Sequence, residues 1–360
     1  MKATPETWMR RALAEARKGL GATAPNPPVG AVVVKQGKII GTGYHRKAGG
    51  PHAEVYALRD AGADAKNATI VVTLEPCSTV GRTGACTDAI LKAGIKKVIV
   101  GCSDPNPAHA GKGYDLLREA GVTVESGVLE DECRELIRAF THVQQTGMPY
   151  VSLKMACTLD GRIADAKGNS KWITGPESRA RVQQLRRECD AILVGTETVM
   201  KDDPSLMPRP QKGRKPLRII PDRQGRIPLT RKVFTDGHPT LVLLGPDVSL
   251  KRKTTLSKRG TEWLEVPVAR GQLNWKRTLK LLGDQGVQHI LCEGGGQLAS
   301  ALLQAGLVQE LHWVMAPKLL GQEGRPSVGK GWSLADAPEF EVRTIEKSGD
   351  DIWIVSRSSL

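Results

Sequence analysis

Apolar and polar positions alternate with two different periods along this chain, and the change of period marks out its elements. Trp8, Met9, Ala12, Leu13 and Ala16 recur at helical spacing behind Thr4 and Pro5. A hydroxyl cap followed by proline at the first helical position predicts a helix that ends near Gly19-Leu20-Gly21. Pro25-Asn26-Pro27-Pro28 then forces an extended loop, because residues before proline avoid the helical region. The β-branched runs Val29–Val34 and Lys38–Gly41 flank Gln36-Gly37, which predicts a hairpin. Next come a helix from near His52 to near Gly62, a strand Thr69–Leu74, a helix through Asp88–Lys92 and a strand Lys97–Val100. The alternation continues through Leu116–Ala120 and Val122–Val124, and a helix around Glu130–Gln145 closes the unit.

Thr146-Gly147-Met148-Pro149 reads as a boundary, giving domains 1–147 and 148–360. A strand starts at Tyr150-Val151-Ser152-Leu153-Lys154. Asp190–Gly195, Leu217–Ile220, Thr240–Leu244 and Val287–Cys292 are continuous apolar runs of the kind that lie buried in covered sheets. Both halves are therefore α/β. A chain of 360 residues is long for one core and comfortable for two.

Composition narrows the function. With 40% hydrophobic and 25% charged residues the chain is globular. No apolar run approaches the roughly 20 residues of a membrane span, and the start lacks a signal-peptide core, so the expected location is the cytoplasm. The net charge of +14 is uneven: residues 201–260 carry 15 Lys or Arg against 5 Asp. That suits either a phosphate-rich partner or a solvated basic surface. Aromatics make up only 4%, and no stripe of alternating aromatic and basic residues exists to stack single strands, which argues against nucleic acid.

The densest chemistry is Pro51-His52-Ala53-Glu54, then Glu75-Pro76-Cys77-Ser78, then Cys86. One imidazole and two thiolates can hold zinc and leave a fourth position for water, the pattern of a catalytic site. Zinc lowers the pKa of its water to about 7. Glu54, two residues after His52 at a helix entry, is placed to move protons without ligating: it takes the water proton, passes it to a ring nitrogen and helps ammonia leave. Zinc deaminases use this design, with the signature H-x-E and P-C-x-x-C. Here eight residues separate the cysteines, and Arg82 in that loop is a candidate for a phosphate or a substrate carbonyl. Cys77 and Cys86 are expected beside a helix N-terminus, which favours thiolate. The other five cysteines, at 102, 133, 157, 189 and 292, are expected to be packing residues. His109, His142, His238, His289 and His312 have no ligand-like company.

Further along, Gly294-Gly295-Gly296 follows an apolar strand and precedes a helix. Such a turn is either a tight corner or a cradle of N–H groups for a diphosphate. Arg186 and Arg209 suit a phosphate by their fork geometry, as they would suit ordinary surface positions.

These motifs together resemble the RibD family of bifunctional riboflavin biosynthesis proteins along nearly the whole chain. Carrying the resemblance in the first half are Pro25-Asn26-Pro27, Gly43-Tyr44-His45, Pro51–Val55, Thr73–Ser78, Gly81-Arg82-Thr83, Cys86 and Asp104-Pro105-Asn106-Pro107. In the second half they are Leu153-Lys154, Leu159-Asp160-Gly161, Ser170–Gly175, Leu185-Arg186, Asp202-Asp203-Pro204 and Glu293–Gly296. The resemblance implies a cytidine-deaminase-like three-layer domain followed by a dihydrofolate-reductase-like α/β domain. It implies zinc on His52, Cys77 and Cys86, with Glu54 catalytic and Asn26 and His45 helping to hold the pyrimidine. It further implies NADPH at Ala156, Trp172, Thr198, Asp202, Gly295 and Gly296, and the sugar phosphate at Lys154, Ser170, Arg186, Leu206, Arg209 and Glu293. The implied reactions are deamination of 2,5-diamino-6-ribosylamino-4(3H)-pyrimidinone 5′-phosphate at C2, then hydride transfer to C1 of its open-chain ribosyl group. A dimer or tetramer is expected.

Four positions depart from the family pattern. Thr79 replaces a histidine, Gly84-Ala85 replaces a proline pair, Met207 replaces a threonine, and Arg223 replaces a small hydroxyl residue near the cofactor. Arg223 is either a contact to the NADPH 2′-phosphate or a solvated arginine. Two alternatives stand beside the bifunctional reading: a nucleic-acid-editing deaminase, and the same family with only one half active.

Overall fold

The computed structural model describes residues 4–79, 84–107, 109–211, 214–329 and 331–358. Gly81-Arg82-Thr83, including the Arg82 candidate, lies outside them. The chain divides into two compact units, Met1–Gly147 and Met148–Leu360.

In the first unit Pro5–Arg17 (α1) is capped by the Thr4 hydroxyl, which accepts from the Thr7 N–H. Its face of Met9, Ala12, Leu13 and Ala16 is fully buried. The hairpin is Gly30–Lys35 (β1) with Lys38–Tyr44 (β2), turning on Gln36 and Gly37, both at positive φ. Ala53–Ala61 (α2), Thr69–Leu74 (β3), Cys86–Lys92 (α3), Lys97–Cys102 (β4), Lys112–Glu119 (α4) and Thr123–Ser126 (β5) follow. The sheet order is β2-β1-β3-β4-β5, with the hairpin antiparallel and β3, β4 and β5 parallel. The single closing helix expected over 130–145 is instead two, Glu130–Leu136 (α5) and Arg138–Thr146 (α6), broken at Ile137 with φ −101°. Cys133 and Leu136 of α5 and Ile137 at the break are all buried in the core of this unit.

The two faces of this sheet are covered by different helices. Gly30 on β1 lies against α1, whereas Gly41 and Gly43 on β2 lie against α2. A side chain at Gly43 would place its Cβ 2.4 Å from the Ala53 carbonyl oxygen and 2.4 Å from the Ala57 nitrogen. Glycine there lets α2 settle on the backbone of β2.

The second unit is built on one nine-stranded sheet. Its elements in chain order are Tyr150–Thr158 (β6), Arg162–Ala164 (β7), Pro176–Glu188 (α7), Ala191–Leu193 (β8), Thr196–Asp202 (α8), Leu217–Pro221 (β9), Lys232–Thr235 (α9), Thr240–Leu244 (β10), Leu250–Lys258 (α10), Glu262–Glu265 (β11), Val268–Ala269 (β12), Gln272–Leu273 (β13), Trp275–Asp284 (α11), His289–Cys292 (β14), Gly296–Gln304 (α12), Glu310–Ala316 (β15), Arg325–Pro326 (β16), Phe340–Ser348 (β17) and Asp351–Ser358 (β18). The order is β11-β10-β9-β8-β14-β6-β15-β18-β17. All pairs from β11 to β15 are parallel, and the β17–β18 hairpin adds two antiparallel strands at one edge. The apolar strands β8, β9, β10 and β14 are buried on both faces, as parallel strands must be. The sheet places the carboxyl ends of β6, β14, β8 and β9 side by side, where ligands of open α/β sheets bind. No helix among the described residues is long and apolar enough to cross a membrane.

Candidate active sites

The first site forms where α2 and α3 meet the end of β3. His52 is the N-cap residue of α2, and Cys86 opens α3. His52 Nδ1 lies 3.2 Å from Cys86 Sγ and 3.5 Å from Cys77 Sγ. The Cys86 N–H donates to Cys77 Sγ at 3.4 Å, the helix-end contact expected to favour thiolate. All three ligand atoms lie within 4.8 Å of one another, the one such metal-competent group among the described residues. An imidazole and two sulfurs converging this closely, with no fourth protein ligand in the group, fit a zinc ion with an open position.

The electrostatics agree with that division of labour. Cys77 is pulled down to about 4, first by a hydrogen bond from Cys86, with His52 and the Cys86 backbone N–H adding to it against burial. Cys86 moves the opposite way, raised by that same hydrogen bond and by burial. One proton is thus shared by two sulfurs, and a divalent cation in its place would favour both thiolates. The hydrogen bond with Cys77 raises His52 against the effect of burial. Glu54 is 3% exposed; burial raises its carboxyl, offset in part by His52. A carboxyl held above its ordinary range is suited to carrying a proton at neutral pH.

Asn26 and His45 stand beside this group, joined by a 3.1 Å hydrogen bond between Asn26 Nδ2 and His45 Nε2. His45 Nδ1 lies 3.0 Å from the Pro51 carbonyl, so the ring donates there and accepts from the Asn26 amide. The His45 ring packs edge-on to His52 at 5.2 Å and is 2% exposed. Its geometry orients Asn26 and the chain entering His52. Thr79 is exposed at the edge of the described segment.

The second site is a cleft of about 1290 Å³ at the carboxyl ends of the second sheet. Its walls include every residue expected in this half: Ala156, Trp172, Thr198, Asp202, Gly295 and Gly296, and Lys154, Ser170, Arg186, Leu206, Arg209 and Glu293. Arg186 and Glu293 form a bidentate pair at 2.5 and 2.8 Å, both nearly buried. Burial alone would raise Glu293; the Arg186 charge and hydrogen bonds, with Lys154, hold it below its ordinary range instead. Burial lowers Lys154, with Glu293 opposing. Gly294 and Gly295 both have positive φ, and α12 starts at Gly296. Trp172 is 61% exposed under the Arg179 guanidinium.

Several residues that shape this cleft carried no motif. Lys318 donates to the carbonyls of Trp172 and Ile173. Arg218, fully buried on β9, pairs with Asp236 and donates to the Ser205 carbonyl, which fixes the turn leading to Leu206 at φ +63°. A charge inside the apolar run Leu217–Ile220 was the signal for it. Met207 is buried and offers its carbonyl to Arg186. The basic surplus of 201–260 is partly matched within the chain: Arg226 pairs with Glu197 and Lys253 with Glu265, while Arg252 and Arg259 donate to carbonyls. All seven cysteines are free, and the five outside the first site are buried. His289 and His312 belong to a polar network with Ser152 and Glu310 inside the sheet.

Comparison with known proteins matches residues 2–102 to the cytidine and deoxycytidylate deaminase zinc-binding region, and residues 149–354 to the RibD C-terminal domain. The riboflavin biosynthesis protein RibD of Aquifex aeolicus is 45% identical, with 97% of each chain covered, and that of Escherichia coli is 42% identical over 97% of this chain and 98% of its own. A solved structure of Acinetobacter baumannii RibD superposes with a TM-score of 0.89 at 41% identity, covering 99% of both chains. A Thermotoga maritima diaminohydroxyphosphoribosylaminopyrimidine deaminase/5-amino-6-(5-phosphoribosylamino)uracil reductase does so at 0.88 and 37%, covering 98% of both. The first unit is thus a cytidine-deaminase-like domain and the second a RibD-type reductase domain, and the chain belongs to the RibD family of riboflavin biosynthesis proteins.

Proposed function

We propose that this chain deaminates 2,5-diamino-6-ribosylamino-4(3H)-pyrimidinone 5′-phosphate in its first unit and reduces the ribosyl group of the product with NADPH in its second. The observation that carries the reading is the convergence of His52, Cys77 and Cys86 within 4.8 Å beside the buried Glu54. When bound there, zinc supplies a hydroxide at neutral pH. Glu54 holds the proton taken from water and delivers it to the ring nitrogen as the C2 carbon becomes tetrahedral; it then takes the proton of the new C2 hydroxyl and gives it to the departing amino group as the carbonyl forms and ammonia leaves. Asn26, oriented by His45, is placed to hold the pyrimidine edge.

In the cleft, the N–H groups of the Gly294–Gly296 turn suit the dinucleotide diphosphate. Ala156, Trp172, Thr198 and Asp202 line the remainder of the cofactor's path. Lys154, Ser170, Leu206, Arg209 and the Arg186–Glu293 pair hold the sugar phosphate and orient C1 toward the hydride. The Arg209 backbone is pinned through Gln183 and Arg187, which leaves its guanidinium for the phosphate. NADPH carries the redox chemistry, and the protein supplies position and field.

The partners in this reading are small molecules and not nucleic acid, which fits the pairing of Arg218, Arg226 and Lys253 with carboxylates of the same chain. A homo-oligomer, dimer or tetramer, fits the exposed edge strand β17 with Val342 and Ile345 uncovered. Seven free thiols suit a reducing compartment such as the cytoplasm. The test supplies zinc-loaded protein with the diaminopyrimidine phosphate and measures ammonia, then adds NADPH and follows its oxidation. Ammonia without NADPH oxidation would reduce the reading to one active half. NADPH oxidation on supplied deaminated substrate without ammonia release would do the same for the other half.

A further inference from the structure

We infer that Arg223 is the residue that distinguishes NADPH from NADH, by binding the phosphate on the adenosine 2′ position. This rests on the reading of the second cleft as a dinucleotide site. Arg223 lines that cleft two residues beyond the end of β9. Strands β14, β8 and β9 are consecutive neighbours in the sheet. Parallel strands lie about 4.8 Å apart, so the end of β9 is about 10 Å from the glycine turn after β14. A dinucleotide with its diphosphate on that turn, extending past Thr198 after β8, therefore brings its adenosine ribose to the end of β9.

The backbone around Arg223 is built to hold still. The Asp222 carboxylate, 1% exposed, accepts from the Arg226 and Ile227 N–H groups at 2.9 Å each. The Gly245 N–H donates to the Arg223 carbonyl at 2.9 Å. A Cβ at position 245 would sit 2.8 Å from that oxygen and 3.1 Å from Arg223 Cγ, so glycine at 245 makes room for the arginine stem. Charge partners complete the case. Glu197, a cleft-lining carboxylate that could accept from an unmodified ribose hydroxyl, is held by Arg226 at 2.6 Å. The Arg223 guanidinium has no ion pair or hydrogen bond among the described residues, the residue's one polar contact being its carbonyl with the Gly245 N–H. It is a half-buried, positioned, uncommitted fork of donors, the geometry that binds phosphate bidentately.

The test is calorimetric titration of the full-length protein with adenosine 2′,5′-bisphosphate and with 5′-AMP, which differ only in the 2′-phosphate. Wild type should bind the bisphosphate more tightly. Arg223→Ala should weaken the bisphosphate about 10- to 100-fold, the range of one charged hydrogen-bonding group, and leave 5′-AMP unchanged. Arg223→Lys should recover part of the loss. Should the alanine variant fail to fold, Arg223→Gln keeps the stem and removes the charge, with the same expected result. Unchanged bisphosphate binding in the variants, or equal losses for both ligands, overturns the inference while the dinucleotide reading stands. A wild-type protein that binds the bisphosphate and 5′-AMP equally does so too. If wild type binds neither these ligands nor NADPH, the dinucleotide reading fails and the inference falls with it.

Discussion

Replacing Gly43 by alanine tests whether the packing of α2 on β2 sets the position of the deaminase site. The new Cβ would lie 2.4 Å from the Ala53 oxygen and the Ala57 nitrogen and 2.7 Å from Tyr56 Cβ. Ordinary contact begins near 3.4 Å, so α2 must withdraw by about 1 Å. The obstacles are helix backbone and a Cβ, not a flexible side-chain tip, so they move only as a body. His52 caps that helix and Glu54 rides on it, while Cys77 lies in the β3–α3 connection and Cys86 opens α3. Metal ligands tolerate displacements of roughly 0.2 Å, and a misplacement of about 1 Å typically costs about 100-fold in rate. Overpacking should also destabilise the first unit by about 1–3 kcal/mol. Gly43→Ala should therefore hold zinc more weakly and release ammonia at least about 100-fold more slowly, while NADPH oxidation on deaminated substrate stays at the wild-type rate. Gly37→Ala is the control. It sits at φ +78° with nothing within 4 Å, so it should lose about 1–2 kcal/mol of stability and keep its zinc. The assays are metal analysis against a graded chelator, ammonia release and thermal unfolding. A Gly43→Ala protein with wild-type zinc affinity and ammonia release would refute the reasoning, because α2 would then have room that the structure denies it.

Other predictions follow from the same geometry. Glu54→Gln keeps the shape and removes the proton carrier, so it should retain zinc, lose at least about 100-fold in ammonia release and leave reduction intact; loss of both activities together would count against two independent units. Glu293→Gln leaves the nearly buried Arg186 without its counter-charge and should cost about 3–5 kcal/mol at pH 7, read by urea unfolding. Because Glu293 is held below its ordinary range, its contribution is present above the unfolded carboxyl pKa of about 4.3 and is lost as pH falls through the lower folded value. The gap between variant and wild type should therefore shrink in acid; a gap that stays constant down to pH 3 would show that the charge pair is not its source. Lys318→Met removes the ammonium that donates to both the Trp172 and Ile173 carbonyls. Since Lys318 is exposed, the expected cost is under about tenfold in NADPH KM, with kcat and ammonia release unchanged.

The sequence by itself determined what is local. Thr4 and Pro5 start α1, Gln36-Gly37 turns the hairpin, and continuous apolar runs make buried parallel strands, because caps, φ preferences and burial patterns act over a few residues. The zinc ligands and Glu54 were legible for the same reason, since each sits at a helix start or strand end that its neighbours announce. The reductase residues came from resemblance more than from pattern, because single arginines such as Arg186 and Arg209 look alike wherever they stand. The split of the last first-unit helix at Ile137, a residue buried in the core, was not legible. Strand β15 and the β17–β18 hairpin were also missed, although Glu310–Ala316 alternates between buried and half-buried positions. Only the tertiary structure decided that His52 Nδ1 meets two sulfurs from another connection, that His45 turns inward to hold Asn26, and that Arg218 is a buried support for the Leu206 turn. Such choices depend on which side chains meet across elements far apart in the chain, and packing of the finished core settles them.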